Sequence, residues 1–112
     1  MEVLKKSNAP SFLTVLKRFG QFNSGFLSFP FKGWTLAVDI PANVPKLNSS
    51  LDFLDELIAK EGGRIYLAKD SRQSSEMFFK TYKKYDEWLK IKKIMDPEIK
   101  FTSDLAERLK FF

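Results

Sequence analysis

Two adjacent glycines, Gly62 and Gly63, constrain this chain most, because the hydrophobic period changes across them. Before them, Leu51, Leu54, Leu57 and Ile58 recur at helical spacing, with Phe53 on the flank. Asn48, Ser49 or Ser50 can cap this helix, since their side chains accept from its first free N–H groups. Asp52, Asp55 and Glu56 sit early and Lys60 late, as the helix dipole favours. The pattern predicts a helix over about 49–61, stopped by Gly62. After the glycines, Arg64 to Ala68 reads as a short strand, and Lys69, Asp70 and Arg72 place three charges at its end. A group at such a position is held by the scaffold and still reaches a cleft.

Upstream, Ser11 to Phe19 is β-branched and aromatic and reads as a strand. Gly20 to Gly25 should turn, and Phe26 to Phe31 is apolar but broken by Pro30, so it reads as an extended connector or edge segment. Trp34 to Ile40 alternates. Trp34, Leu36, Val38 and Ile40 are expected in the core, and Thr35, Ala37 and Asp39 take the other face. Downstream, Ser74 or Ser75 can cap a helix through about Tyr82. A second helix runs through about Ile94, with Tyr85, Trp88, Leu89 and Ile91 inward, and Asp96-Pro97 ends it. Thr102 or Ser103 caps a last helix with Leu105 and Leu109 inside. The order predicts an α+β fold: a small antiparallel sheet of about three strands with one packed helix, then two or three C-terminal helices. Such a sheet leaves two edges, so further strands are expected from elsewhere.

With 112 residues, one domain is expected. The absence of Cys and His excludes a thiolate nucleophile, a disulfide, a His-based triad and a His- or Cys-ligated metal, so no metal is expected. The net charge of +5 suits an anionic ligand or nucleic acid, but acidic residues are interspersed with the lysines. No apolar run reaches a membrane span, and the N-terminus has no signal-peptide core. A soluble, cytoplasmic protein is the resulting expectation.

Tyr66 and Lys69, three residues apart, can line one pocket, the cation holding an anion or stabilising developing negative charge. On residue type alone, a surface Lys69 paired with Asp70 is the plainer reading. Lys17 and Arg18 can bind anions, although charged strand ends usually face water. Thr35 and Ala37 are small enough to admit a ligand. Lys80, Lys83, Lys84, Lys90, Lys92 and Lys93 alternate with Tyr82, Tyr85 and Trp88, which raises a rival reading, a free-standing basic α+β module for nucleic acid or an acidic partner. At helical spacing, however, the rings fall inward and the lysines outward. No Gly-rich phosphate loop is present.

Several separated motifs carry a family resemblance. They are Ser11 to Gly20, Leu27 to Pro30 with Gly33-Trp34, Gly62 to Arg72, Tyr85 to Trp88, Asp96-Pro97, and Ser103 to Ala106 with Arg108-Leu109. In order and spacing the chain resembles the C-terminal part of FAD-linked oxidoreductases of the vanillyl-alcohol-oxidase type, in the lactone-oxidase branch. The resemblance implies a fragment of a larger substrate domain. Residues 1–9 would lead in, 10–72 would form the C-terminal part of the substrate-binding domain, and 73–112 would be helices returning to an FAD-binding domain. That N-terminal FAD domain, on the same or a separate chain, is the implied partner, and Met1 would fall inside the substrate domain. FAD is implied for the parent enzyme, with none tightly bound to this fragment alone, which by itself should not turn over. A homodimer through an exposed edge or apolar surface is a further expectation.

The resemblance implies the reaction too: oxidation of a sugar or lactone hydroxyl by hydride transfer to flavin, with a polyprenyl-phosphate sugar as one substrate class. Lys69 matches the family's active-site Lys, and Tyr66 the Tyr beside it, both near the cofactor. Val15 and Lys17 match pocket positions. Thr35 and Ala37 stand where near relatives carry Asn and Cys, which changes the pocket's polar contacts.

Overall fold

The computed structural model describes residues 2–6, 8–21 and 23–112. Met1 and Ser7 of the expected lead-in, and Phe22 of the expected Gly20–Gly25 turn, lie outside them. A short helix α1 (Glu2–Lys6) precedes two antiparallel strands, β1 (Leu13–Phe19) and β2 (Gly33–Asp39). Helix α2 (Leu47–Lys60) follows, then a 3₁₀ turn (Leu67–Lys69) and helices α3 (Ser75–Thr81), α4 (Tyr85–Met95) and α5 (Asp104–Arg108). The fold is α+β, and among the described residues its antiparallel sheet has two strands where about three were expected.

The missing strand is the one expected at Arg64 to Ala68. The carbonyls of Ile65, Tyr66 and Leu67 and the Arg64 side chain have partners outside any sheet. The Tyr82 hydroxyl donates to the Ile65 carbonyl at 2.6 Å. Arg64 donates to the Ser28 carbonyl at 3.0 Å and lies 4.5 Å from the Phe31 ring centroid and 5.3 Å from that of Tyr82. Tyr66 keeps an extended backbone, and the chain then tightens into the 3₁₀ turn. Burial pushes the Tyr82 phenol up to about 12, against the opposing pull of the Arg64 charge.

The core sits in the C-terminal helices. Phe78, Tyr82, Tyr85, Ala106, Leu109 and Phe111 are buried together, and Leu27, Leu67, Trp88, Leu89 and Leu105 pack around them. Phe78 stacks on Tyr82 at 4.9 Å, and Phe111 meets Phe78 at 4.7 Å. The Tyr85 hydroxyl donates to the Phe111 carbonyl, so the tail is fastened to α4. Ser74 and Ser103 cap α3 and α5, accepting from Met77 N–H at 3.1 Å and Ala106 N–H at 3.2 Å. Ile91, expected inward, is exposed.

Helix α2 departs from its pattern. It starts at Leu47, with Lys46 at φ 59° and no capping side chain, so Asn48, Ser49 and Ser50 fall inside its first turn. It packs on α1 and α3 rather than lying over the sheet as expected. Its one buried residue is Asp55, which with Asp52 receives the Arg72 guanidinium. Lys80 of α3 adds an ion pair to Glu56 at 2.6 Å. Leu57, Ile58 and Phe53 stay exposed. The Trp34 and Leu36 face expected in the core also lies open.

Candidate functional site

The strand register decides which candidate residues share a surface. Val15 lies opposite Ala37, and Lys17 lies opposite Thr35. Side chains alternate along a strand, so these two cross-strand pairs occupy one face of the β1–β2 hairpin. Val15, Thr35 and Ala37 are half-buried, and Lys17 is exposed. Phe19 continues this face at the hairpin end, opposite Gly33.

An aromatic chain joins that end to Tyr66. Phe19 meets Phe29 edge-on at 5.9 Å, and Phe29 meets Tyr66 at 4.8 Å. Pro30 fixes the backbone beside Phe29, so the stretch read as an extended connector or edge segment places the ring that links the hairpin to the 62–72 stretch. The Lys69 N–H bonds the Tyr66 carbonyl at 3.1 Å, which closes the 3₁₀ turn. Tyr66 and Lys69 are both exposed.

The expected Lys69–Asp70 pair does not form. Among the described residues Lys69 has no ion pair. Asp70 instead receives Arg108 at 2.7 Å, the Gln73 N–H at 2.9 Å and the Arg72 N–H at 3.1 Å. Burial alone would push the Asp70 carboxyl up, but these donors outweigh it and hold the group below the usual carboxylate range. Arg108 also donates to the Gln73 carbonyl at 2.6 Å, so the backbone just beyond Lys69 is clamped on two sides. Arg108 was visible in the sequence only as part of a motif. Its partner lies 38 residues away, a separation without periodic signature.

The surface so built is open. Two concavities among the described residues lie elsewhere, one at Lys6, Pro45 and Lys46, the other at Ser28, Arg64 and Lys83. The residues fit the ring portion of a flavin: a half-buried sheet face with a small-residue centre, an exposed phenol, and a cation with no ion pair among the described residues. They offer no phosphate-cradling loop. Among the described residues no acidic cluster could hold a metal, and no helix is long and apolar enough to cross a membrane. Tyr82 and Tyr85 are buried and Trp88 packs against the core, while Lys80 and Lys92 have carboxylate partners. Those rings are therefore not free to stack on bases.

Comparison with known proteins defines the class. The sequence profile of the D-arabinono-1,4-lactone oxidase family matches residues 40–109. The chain belongs to that family, among the FAD-linked oxidases of the lactone-oxidase type. It is 42% identical over 106 residues to decaprenylphosphoryl-β-D-ribose oxidase of Mycolicibacterium smegmatis, covering 95% of this chain and 23% of that protein. It is 45% identical over 95 residues to an uncharacterized protein in the mprA 5′ region of Streptomyces coelicolor, covering 85% of this chain and 26% of that protein. The chain thus spans about a quarter of the length of these curated relatives. Tyr66 and Lys69 fall inside the family match, whereas Val15, Lys17, Thr35 and Ala37 precede it.

Proposed function

We propose that this chain supplies the C-terminal part of the substrate domain of an FAD-dependent oxidase acting on a sugar or lactone hydroxyl. One observation carries the reading: Lys69, which lies inside the family match, has no ion pair among the described residues. An unpaired cation on a fixed turn can stabilise negative charge developing on a bound group, and it needs no reorganisation to do so. Lys69 is the residue assigned to that role, beside Tyr66. Val15, Lys17, Thr35 and Ala37 would line the substrate side, Lys17 favouring an anionic group and Thr35 offering a hydroxyl. A flavin, when bound, would supply the hydride acceptor. The name of the Mycolicibacterium relative favours a polyprenyl-phosphate sugar as the substrate class. Most of the cofactor's contacts would come from an FAD-binding domain outside these residues.

The reading is tested by reassembly. The chain is co-expressed with the part of the Mycolicibacterium relative that lies outside the match. The expected product is a complex with a bound-flavin absorption spectrum. A stable complex without flavin would contradict the assignment.

A further inference from the structure

The hairpin has a second face that the candidate site does not use. Leu16 pairs with Leu36, and Arg18 pairs with Trp34. Leu16 is 61% exposed, Trp34 67% and Leu36 48%. The Arg18 guanidinium lies 5.9 Å from the Trp34 ring centroid and is the cation bordering this apolar strip. Large apolar side chains contiguous on one sheet face mark a surface that is normally covered. An isolated two-stranded sheet is also marginal in water, and each strand here has an open edge.

The comparisons indicate the occupant. Nearly the whole chain, 95%, aligns with only 23% of the Mycolicibacterium relative. In a protein of that length, the same two strands lie within a much larger body. We infer that the Leu16, Trp34 and Leu36 face is the docking surface for the rest of an oxidase of the relatives' length. That body adds strands at the open edges and an apolar layer over Trp34. The identity of the occupant rests on the proposed function. The hairpin then divides its work: one face anchors and the other lines the site, so association and flavin chemistry are separable.

The test uses the whole chain and, as partner, the Mycolicibacterium relative lacking its matched residues, co-expressed with it. Trp34 is read by the fluorescence difference between the native chain and Trp34→Phe. Copurification is expected, with Trp34 emission shifted to the blue and shielded from a soluble quencher. Leu16→Asp with Leu36→Asp should weaken association about a hundredfold, because a carboxylate is then desolvated in an apolar contact. Because Leu16 and Leu36 are cross-strand partners, two carboxylates there repel, so the uncharged pair Leu16→Gln with Leu36→Gln serves as the control: it should weaken association in the same direction while the isolated chain's circular dichroism stays native. Lys17→Ala should leave association intact. Failure of the native chain to copurify overturns the inference, as does association indifferent to the two Asp substitutions. Concentration-dependent shielding of Trp34 in the isolated chain also overturns it, because a second copy would then be the occupant. Association through this face without flavin keeps the docking surface and removes the enzymatic reading.

Discussion

Asp70 and Lys69 are neighbours with opposite fates. The Asp70 side chain is 3% exposed and fully engaged, while Lys69 beside it is exposed and has no ion pair among the described residues. Asp70→Asn keeps an oxygen that accepts from the Arg72 and Gln73 N–H groups, but it removes the charge facing Arg108 and leaves that guanidinium with only carbonyl partners. Asp70→Asn should therefore cost about 2 kcal/mol, read from urea unfolding at neutral pH. The sign of the pH dependence follows from a carboxyl held below its usual range when folded. Its stabilisation is present above the unfolded carboxylate value of about 3.9 and is lost as pH falls through the lower folded value. The stability gap between the native chain and Asp70→Asn should hold from pH 7 to about 4 and shrink below that. A gap that persists undiminished in stronger acid contradicts the assignment. Lys69 itself was legible in the sequence as a candidate. Its freedom was not, because that depends on Arg108 reaching Asp70 across the fold.

Among the elements, those with a local signal were readable and those depending on partners were not. Ser74 and Ser103 cap as their spacing suggested, and the Trp88 and Leu89 side of α4 turns inward. The strand expected at 64–68 has strand-like residues, but a strand exists only when a neighbouring strand takes its backbone groups, and here the Tyr82 hydroxyl takes the Ile65 carbonyl while the Lys69 and Asp70 N–H groups take those of Tyr66 and Leu67. Helix α2 looked amphipathic, yet what it buries is Asp55, held by Arg72. Burial pushes the Asp55 carboxyl up despite the opposing pull of Arg72. The Gly62-Gly63 junction sets how the chain leaves α2. Gly62 sits at φ 75°, where a side chain is strained, and a Cβ on Gly63 would come 2.6 Å from Ile58 Cγ2 and 3.0 Å from the Ile58 carbonyl oxygen. Gly62→Ala should cost about 1 kcal/mol through strain. Gly63→Ala should cost roughly 1–3 kcal/mol, because a backbone atom must move, and should also shift the Tyr66 resonances. A neutral Gly63→Ala variant with an unchanged Tyr66 environment contradicts this account of the junction.

At the scale of the whole molecule, the core and the candidate site are separate. The buried cluster holds α3, α4, α5 and the tail together, whereas the hairpin is half-buried on its Val15, Thr35 and Ala37 face and open on its Leu16, Trp34 and Leu36 face. The alternation at Trp34 to Ile40 was read correctly as a strand with an apolar face, and the face was assigned to a core that this chain does not provide. Sequence patterning records burial in the complete fold, and a quarter of a relative's length need not contain both sides of each layer. The same reasoning explains why four candidate pocket residues share a face without enclosing a pocket. We propose that this hairpin face and Lys69 work together against a flavin held by the remainder of the oxidase. The most direct measurement is the rate of flavin reduction by a polyprenyl-phosphoryl ribose in the reassembled complex, native against Lys69→Ala. The account predicts equal flavin retention in both and loss of reduction in Lys69→Ala. Full-rate reduction in that variant would contradict it.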